Sequence, residues 1–287
     1  METARTLHRQ LTTDFPTTSL PIPSLSWLTT LIPSNISRTP PLPSLLATAR
    51  SRLLSSDLCT PGLLDANWVP SHCFPGSLTG QSLPGAVGYV NSQEQILDRD
   101  VVVQVLDVEN LNRSKWEVVE ELEAIERGEQ TRGREVIRLP TSNNTDGDGE
   151  GEGEGIDMGD GGTQTQTAAF AQNSTAQQQA AQQAARERKN ATHKLTLQDS
   201  SGQRLYALEL KRVEEISVPQ SVNGKMIGGT PIGCKLVLKR GTKVARGVVL
   251  LEPSMVKVLG GKVESWGRVW ERGRLERLRG EVSQQGR

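Results

Sequence analysis

The chain has 287 residues, room for one large domain or two small ones. Its apolar content is 35%, or about 45% once its 28 glycines are added, which is near the globular average and excludes a chain unfolded throughout. Its 33 Lys and Arg balance 33 Asp and Glu only globally: residues 141–162 hold four Asp and three Glu with no Lys or Arg, while Cys234 to Arg287 holds thirteen Lys or Arg against five Asp or Glu. A basic C-terminal third is compatible with a nucleic-acid surface, an acidic-protein surface or a merely solvated face.

Residues 1–80 read as a small bundle of short helices. Leu7, Leu11 and Phe15 recur every four residues, one helical stripe. Pro23 and Ser24 open a second segment with Leu25, Leu28, Leu31 and Ile32 on one side. Pro43 precedes a third, carrying Leu45, Leu46, Ala49, Leu53 and Leu54. Prolines punctuate the three, because proline lacks the amide a helix interior needs. Helices this short are unstable alone and must pack on each other or on the remainder of the chain.

A β-branched run from Val101 to Val108 then predicts a strand. Residues 112–127 predict a helix, with Trp116, Val119, Leu122, Ala124 and Ile125 near one stripe. Asn112 or Ser114 is placed to cap it and Gly128 to end it. Residues 141–192 are low-complexity, an Asp/Glu/Gly tract followed by a Gln/Ala/Thr tract. Their apolar content is too low to offset ordering entropy, so disorder is expected. Residues 193–197 and 204–210 alternate around the turn 199–202, a hairpin. Residues 218–233 read as a Pro/Gly/Asn-rich loop, and 235–238 and 245–251 as two more strands. The fold class is therefore α+β: a helical bundle (1–80), then a five-stranded barrel (81–261) with a long insertion after its first strand (111–192). A basic tail (262–287) comes last, helical at its start. Composition leaves an OB-fold and an SH3-like barrel both open.

No run of about 18 apolar residues occurs, so no membrane-spanning helix and no membrane partner are expected. The start lacks the apolar region of a secretory signal. Three widely spaced cysteines (Cys59, Cys73, Cys234) without C-x-x-C speak against a disulfide scaffold or structural zinc. The acidic Gly tract lacks the spacing of a calcium loop, so no metal or cofactor is expected. His8, His72 and His193 are scattered, and no nucleophile elbow, P-loop or zincin motif occurs, so no catalytic residue is assigned.

Certain segments resemble a known family. The run Arg246-Gly247-Val248-Val249-Leu250-Leu251-Glu252-Pro253-Ser254-Met255-Val256-Lys257-Val258-Leu259-Gly260-Gly261 is similar to the end of the OB-fold of the RecQ-mediated genome instability protein 1 family. Leu53-Leu54-Ser55-Ser56-Asp57-Leu58, Gln104-Val105-Leu106-Asp107-Val108, Leu195-Thr196-Leu197-Gln198-Asp199 and Tyr206-Ala207-Leu208-Glu209 support it. The resemblance covers about 20–265 outside the insertion. It implies an OB-fold scaffold without catalysis, nuclear, partnering topoisomerase III and a RecQ helicase in the dissolution of double Holliday junctions. A second, C-terminal OB-fold of longer members has no counterpart here. The chain looks like the short fungal type, and no second OB subunit is expected through that domain.

In the family the insertion after the first strand reaches into the topoisomerase gate. Here the helix 112–127 would offer Trp116, Val119, Leu122 and Ile125 as partner anchors, or else pack on its own barrel. Lys257, flanked by Val256 and Val258, is expected to point outward to a partner or to solvent. Lys235, Lys239, Arg240, Lys243 and Arg246, and the Arg-rich stretch from Arg268 to Arg279, are candidates for weak, salt-sensitive phosphate contacts. Tyr206 is the one aromatic in the barrel segments, and it fits core or stacking platform equally. That scarcity weighs against the alternative function, an autonomous single-stranded DNA-binding OB protein.

Overall fold

The computed structural model of the protein describes residues 2–32, 40–78, 94–128, 191–222 and 225–285. The disorder expected over 141–192, and the acidic tract within it, lie outside these residues, apart from 191 and 192.

Three helices form the N-terminal layer: α1 (Glu2–Thr18), α2 (Leu25–Leu31) and α3 (Leu42–Leu54). Leu7 and Leu11 of α1 meet Leu28 of α2 and Leu45 and Ala49 of α3 in a common core, as the four-residue spacing requires. Ser24 caps α2 by accepting from the Trp27 amide at 3.1 Å. Helix α1 runs past Pro16 and ends at Ser19, whose φ of 57° is the left-handed stop usually given to glycine.

The second layer is an OB-fold. An eight-stranded curled sheet runs β1-β8-β9-β4-β3-β2-β7-β10, and β5-β6 form a separate hairpin. The strands are β1 (Glu94–Ile96), β2 (Val101–Asn110), β3 (His193–Asp199), β4 (Arg204–Glu209), β5 (Gln220–Val222), β6 (Lys225–Ile227), β7 (Lys235–Leu238), β8 (Lys243–Ala245), β9 (Val248–Leu251) and β10 (Val256–Gly260). Strands β4 and β9 are parallel; the other pairs are antiparallel. The registers Val244↔Val249 and Leu238↔Val256 show that β7–β8 and β9–β10 are two arms of one long, bent hairpin. Its near half pairs with β2 through β7, and its far half with β4 through β9. This hairpin therefore joins the two sides of the curled sheet.

Among the described residues, ten strands replace the five expected. The segment 245–251 is split because Arg246 (φ 48°) and Gly247 (φ 78°) make the hairpin turn. The loop 218–233 holds the hairpin β5–β6, and the family-like run after Glu252 contains β10. The tail is helical well beyond its start: α4 (Lys115–Glu126) belongs to the insertion, and α5 (Glu264–Arg272) and α6 (Arg274–Gln285) come after the barrel. Trp270 of α5 is buried in the barrel core, and Trp266 packs against it. Trp270 Nε1 also donates to Asp107 at 2.5 Å.

The helical layer sits on the outside of the sheet. Leu53, Leu58, Leu63, Leu64 and Trp68 pack on Val102 of β2 and Val237 of β7. Gln104 is fully buried there, accepting from the Leu58 amide at 3.1 Å and donating to Asp57 at 2.7 Å. Asp199 ties the layers on the other side. Its carboxylate accepts from Ser201 and Gln203 amides, which shapes the β3–β4 turn, and from the Phe74 amide at 2.9 Å.

Candidate interaction surfaces

The insertion leaves the sheet after β2 and returns at β3, and its neck is closed by hydrogen bonds. The Leu111 amide donates to the Thr192 carbonyl at 2.8 Å. The Thr192 amide donates to Asn112 Oδ1 at 2.8 Å. Behind the neck, the buried Glu209 accepts from the His193 amide at 2.7 Å, and its carboxylate lies 2.7 Å from both His193 Nδ1 and Arg212 Nη1. Burial pushes the Glu209 carboxyl up, but hydrogen bonds from His193 and the Val213 amide outweigh it and leave it below the usual range. The first residue of β3 is thus locked, and the two ends of the insertion stay together.

Helix α4 stands at this neck. Ser114 and Glu117 cap it reciprocally, Ser114 Oγ accepting from the Glu117 amide at 3.1 Å and Glu117 Oε2 from the Ser114 amide at 3.0 Å. Gly128, at φ 73°, lies just past its end. The apolar stripe read from the sequence divides between two roles. Val119 is 4% exposed and packs with Leu275 and Leu278 of α6; Leu122 joins that cluster from its edge. Lys115–Glu281 (2.5 Å) and Arg279–Glu123 (2.9 Å) bridge the same helices. The anchor role expected of Val119 is therefore corrected: it is occupied by the chain's own C-terminal helix, not by the barrel and not by a partner. Ile125 is half-buried. Trp116 remains outward, 58% exposed, and Leu111, at the neck, is 49% exposed. Its indole N–H donates to Glu120 on its own helix, at 3.0 Å.

The basic residues of the long hairpin also divide. Lys235 is 0% exposed and cannot reach a phosphate, which corrects the expected contact. Strand β7 is covered on both faces, by the barrel core and by the helical layer. Lys235 Nζ donates to the Gly233 carbonyl at 2.6 Å, and burial pulls its pKa down to about 8. Lys239, Arg240, Lys243 and Arg246 are exposed. Lys239 Nζ donates to the Ser254 carbonyl at 2.8 Å, and Lys243 pairs with Glu94 at 3.0 Å. In the tail, Arg277 and Arg279 are paired with Asp107 and Glu123, whereas Arg268 and Arg272 are exposed.

Lys257 does point out of the barrel, but not to an external partner. Its ammonium donates to the Thr17 and Thr18 carbonyls and to Ser19 Oγ at 3.0–3.1 Å, closing the C-terminal end of α1. The expected partner contact is therefore corrected to an internal one. The adjacent Gly261 has φ 82°, and a Cβ there would collide with the Leu54 carbonyl oxygen. Lys257 and Gly261 together dock the helical layer on β10. Asp57 and Gln104, missed in the sequence as interface residues, do the same from β2. Among the described residues no cluster of His, Cys, Asp or Glu has the makings of a metal site, and no helix is long and apolar enough to cross a membrane.

Both layers match known protein families in sequence. Residues 83–274 match the family model described as RMI1, N-terminal OB-fold domain. Residues 15–61 match that described as RMI1, N-terminal helical domain. RecQ-mediated genome instability protein 1 of Schizosaccharomyces pombe is 29% identical over 202 residues, covering 69% of this chain and 72% of that protein. With helical layer and OB-fold both matched, and with the docking residues Asp57, Gln104, Lys257 and Gly261 inside the family-like runs, the chain belongs to the RMI1 family.

Proposed function

We propose that this chain is a non-catalytic scaffold subunit joining topoisomerase III to a RecQ helicase in the nucleus. In this role it promotes strand passage and decatenation during the dissolution of double Holliday junctions. Family membership supports a place in RecQ-associated genome maintenance. The observation that carries the finer reading is the clamped insertion neck with Trp116 and Leu111 exposed beside it. A scaffold needs a projecting element held at a fixed point and an apolar anchor at its base, and buried aromatics dominate such contacts. The packing of α4 on α6 holds that base rigid.

The test is decatenation by purified topoisomerase III with and without this chain, alongside co-elution of the two. Because α4 belongs to the folded body, the informative deletion removes 129–190 and spares 112–128. The full chain is expected to co-elute and stimulate; the deletion is expected to stay folded and lose stimulation. A deletion variant that stimulates fully removes the insertion from the mechanism. Failure of the intact chain to bind or stimulate removes the scaffold reading.

A further inference from the structure

An open groove of about 600 Å³ lies along α1 in the helical layer. That volume is in the range of sites that hold a small ligand or a few residues of peptide. One wall is α1 itself, which presents Arg5, His8, Arg9 and Thr12 at the three- and four-residue spacing of a single helical face. The other wall is Leu25, at the start of α2, and Asp65. Asp65 is fixed in place. Its amide donates to the Ile22 carbonyl at 2.9 Å, and its Oδ1 accepts from the Asn67 amide at 2.8 Å. Its Oδ2 is 3.7 Å from His8 Nε2, beyond hydrogen-bond distance.

The cations on this face work against the helix that carries them. Arg5 and Arg9 are exposed, and among the described residues neither has a carboxylate partner. They stand one turn apart, a like-charge spacing that destabilises a helix. Arg5 also lies in the N-terminal part of α1, where the helix dipole disfavours a cation, while the last turn, which favours one, holds none. Where the bundle does use a cation to hold α1, it pairs it: Arg50 meets Asp14 at 2.6 Å. Two unpaired guanidinium groups beside a groove are suited to an anion from outside, and their planar forks match carboxylate oxygens.

The opposite wall selects among anions. A nucleic acid that satisfies the arginines brings its next phosphates toward the Asp65 carboxylate, and like charges repel. A peptide mixes its chemistry. Its Asp or Glu side chains reach Arg5 and Arg9, its amides donate to Asp65, and an apolar side chain covers Leu25. The hydroxyls of Thr12 and Thr13 donate to the His8 and Arg9 carbonyls at 2.9 Å, which leaves their lone pairs to accept further peptide amides. We propose that the groove between α1 and Asp65 binds an acidic, extended peptide segment of a partner protein, with Arg5 and Arg9 taking its carboxylates. The site is carried by this chain alone, so its test does not depend on topoisomerase or helicase binding.

The experiment is fluorescence anisotropy of a fluorescein-labelled Glu-Leu-Glu-Asp-Leu-Glu peptide with the full chain at low salt. The double variant Arg5→Glu/Arg9→Glu should weaken binding by at least about tenfold. Its melting temperature should equal or exceed that of the wild type, because the change relieves the dipole and the like-charge spacing. Arg268→Glu/Arg272→Glu makes the same change of charge on an exposed pair of α5 with the same four-residue spacing, outside the groove. It should stay within about twofold of wild type, since exposed charges at a distance are screened. An equal loss in the two double variants overturns the site, because it marks general charge attraction. Equal competition by a thymidine 15-mer overturns the choice of a peptide. Absence of binding by both the wild type and the chain lacking 129–190 overturns the site. Binding by that deletion variant alone assigns the groove to the chain's own acidic tract and overturns an external partner.

Discussion

Gln104 of β2 donates to Asp57, just beyond α3, across 2.7 Å, and the same amide group's oxygen accepts from Leu58 at 3.1 Å. The two layers of the protein are thereby joined at a buried polar point rather than by apolar contact alone. Gln104→Leu keeps the bulk but strands the Leu58 amide and removes a donor from Asp57. An unsatisfied buried group costs about 1–3 kcal/mol, so urea unfolding should show a loss in that range. The smaller loss expected of a surface glutamine would contradict the interface role.

Two neighbouring glycines separate steric demand from backbone demand. Gly260 and Gly261 share φ 82°, but a Cβ at Gly260 meets open space while one at Gly261 strikes Leu54. Gly260→Ala should cost about 1 kcal/mol, the left-handed penalty alone. Gly261→Ala should cost distinctly more and loosen α3 from β10. Amide hydrogen exchange across residues 42–54 reads that loosening directly.

Lys235 makes stability depend on alkaline pH in a predictable direction. Its folded pKa, about 8, lies below the ordinary 10.5 because burial penalises the ammonium. Between those values the unfolded chain holds the proton and the folded chain does not, so this group's contribution to stability rises with pH through 8 to 10.5. The facing thiols act oppositely. Burial raises Cys59 to about 12 and Cys234 to about 11, so their contribution falls above 9. Asp57 also faces the ammonium. Comparing wild type with Lys235→Met isolates the lysine. Folded and unfolded values of about 8 and 10.5 correspond to roughly 3 kcal/mol, less about 1 kcal/mol for the lost Gly233 hydrogen bond. The variant should therefore be about 2 kcal/mol more stable at pH 7, and that advantage should vanish by about pH 10.5. A constant difference across the range would show that the ammonium is solvated.

Trp116 and Lys257 should behave as opposites. Trp116→Ala removes an exposed ring and should change stability by less than about 0.5 kcal/mol while weakening the proposed association with topoisomerase III. Lys257→Met releases three oxygens at the end of α1 and should cost about 1–2 kcal/mol without touching that association. Paired melting and co-elution measurements on both variants check the division; a stability loss from Trp116→Ala would place it in the fold instead.

The helical layer was legible because leucines at four-residue spacing and prolines between them act locally, on single helices. The strands β2, β3 and β4 were legible because their inner residues Val103, Val105, Leu195, Leu197, Leu205 and Ala207 alternate toward one core. Legibility failed where a second layer covers the outer face. In β7 all four residues are buried, so Lys235 fits the alternation of a surface lysine yet lies beneath the helices. Lys257 was placed on the correct face, but nothing local reveals that α1 ends above it. Val119 failed for a related reason, since its neighbours Leu275 and Leu278 lie nearly 160 residues away in sequence. The hairpin β5–β6 was hidden by turn-forming composition around two three-residue strands.

The neck between Leu111 and Thr192 has a consequence for how such chains change over time. Among the described residues the insertion is held by its neck and by α4 on α6, and loop-closure cost grows slowly, by about 0.6 kcal/mol per doubling of length. The loop-closure part of the barrel's folding free energy therefore changes little when sequence is gained or lost between Gly128 and Ala191. The position is an open port: selection can rewrite what is carried there without renegotiating the scaffold, and a reporter domain spliced into it should leave the barrel's melting temperature almost unmoved.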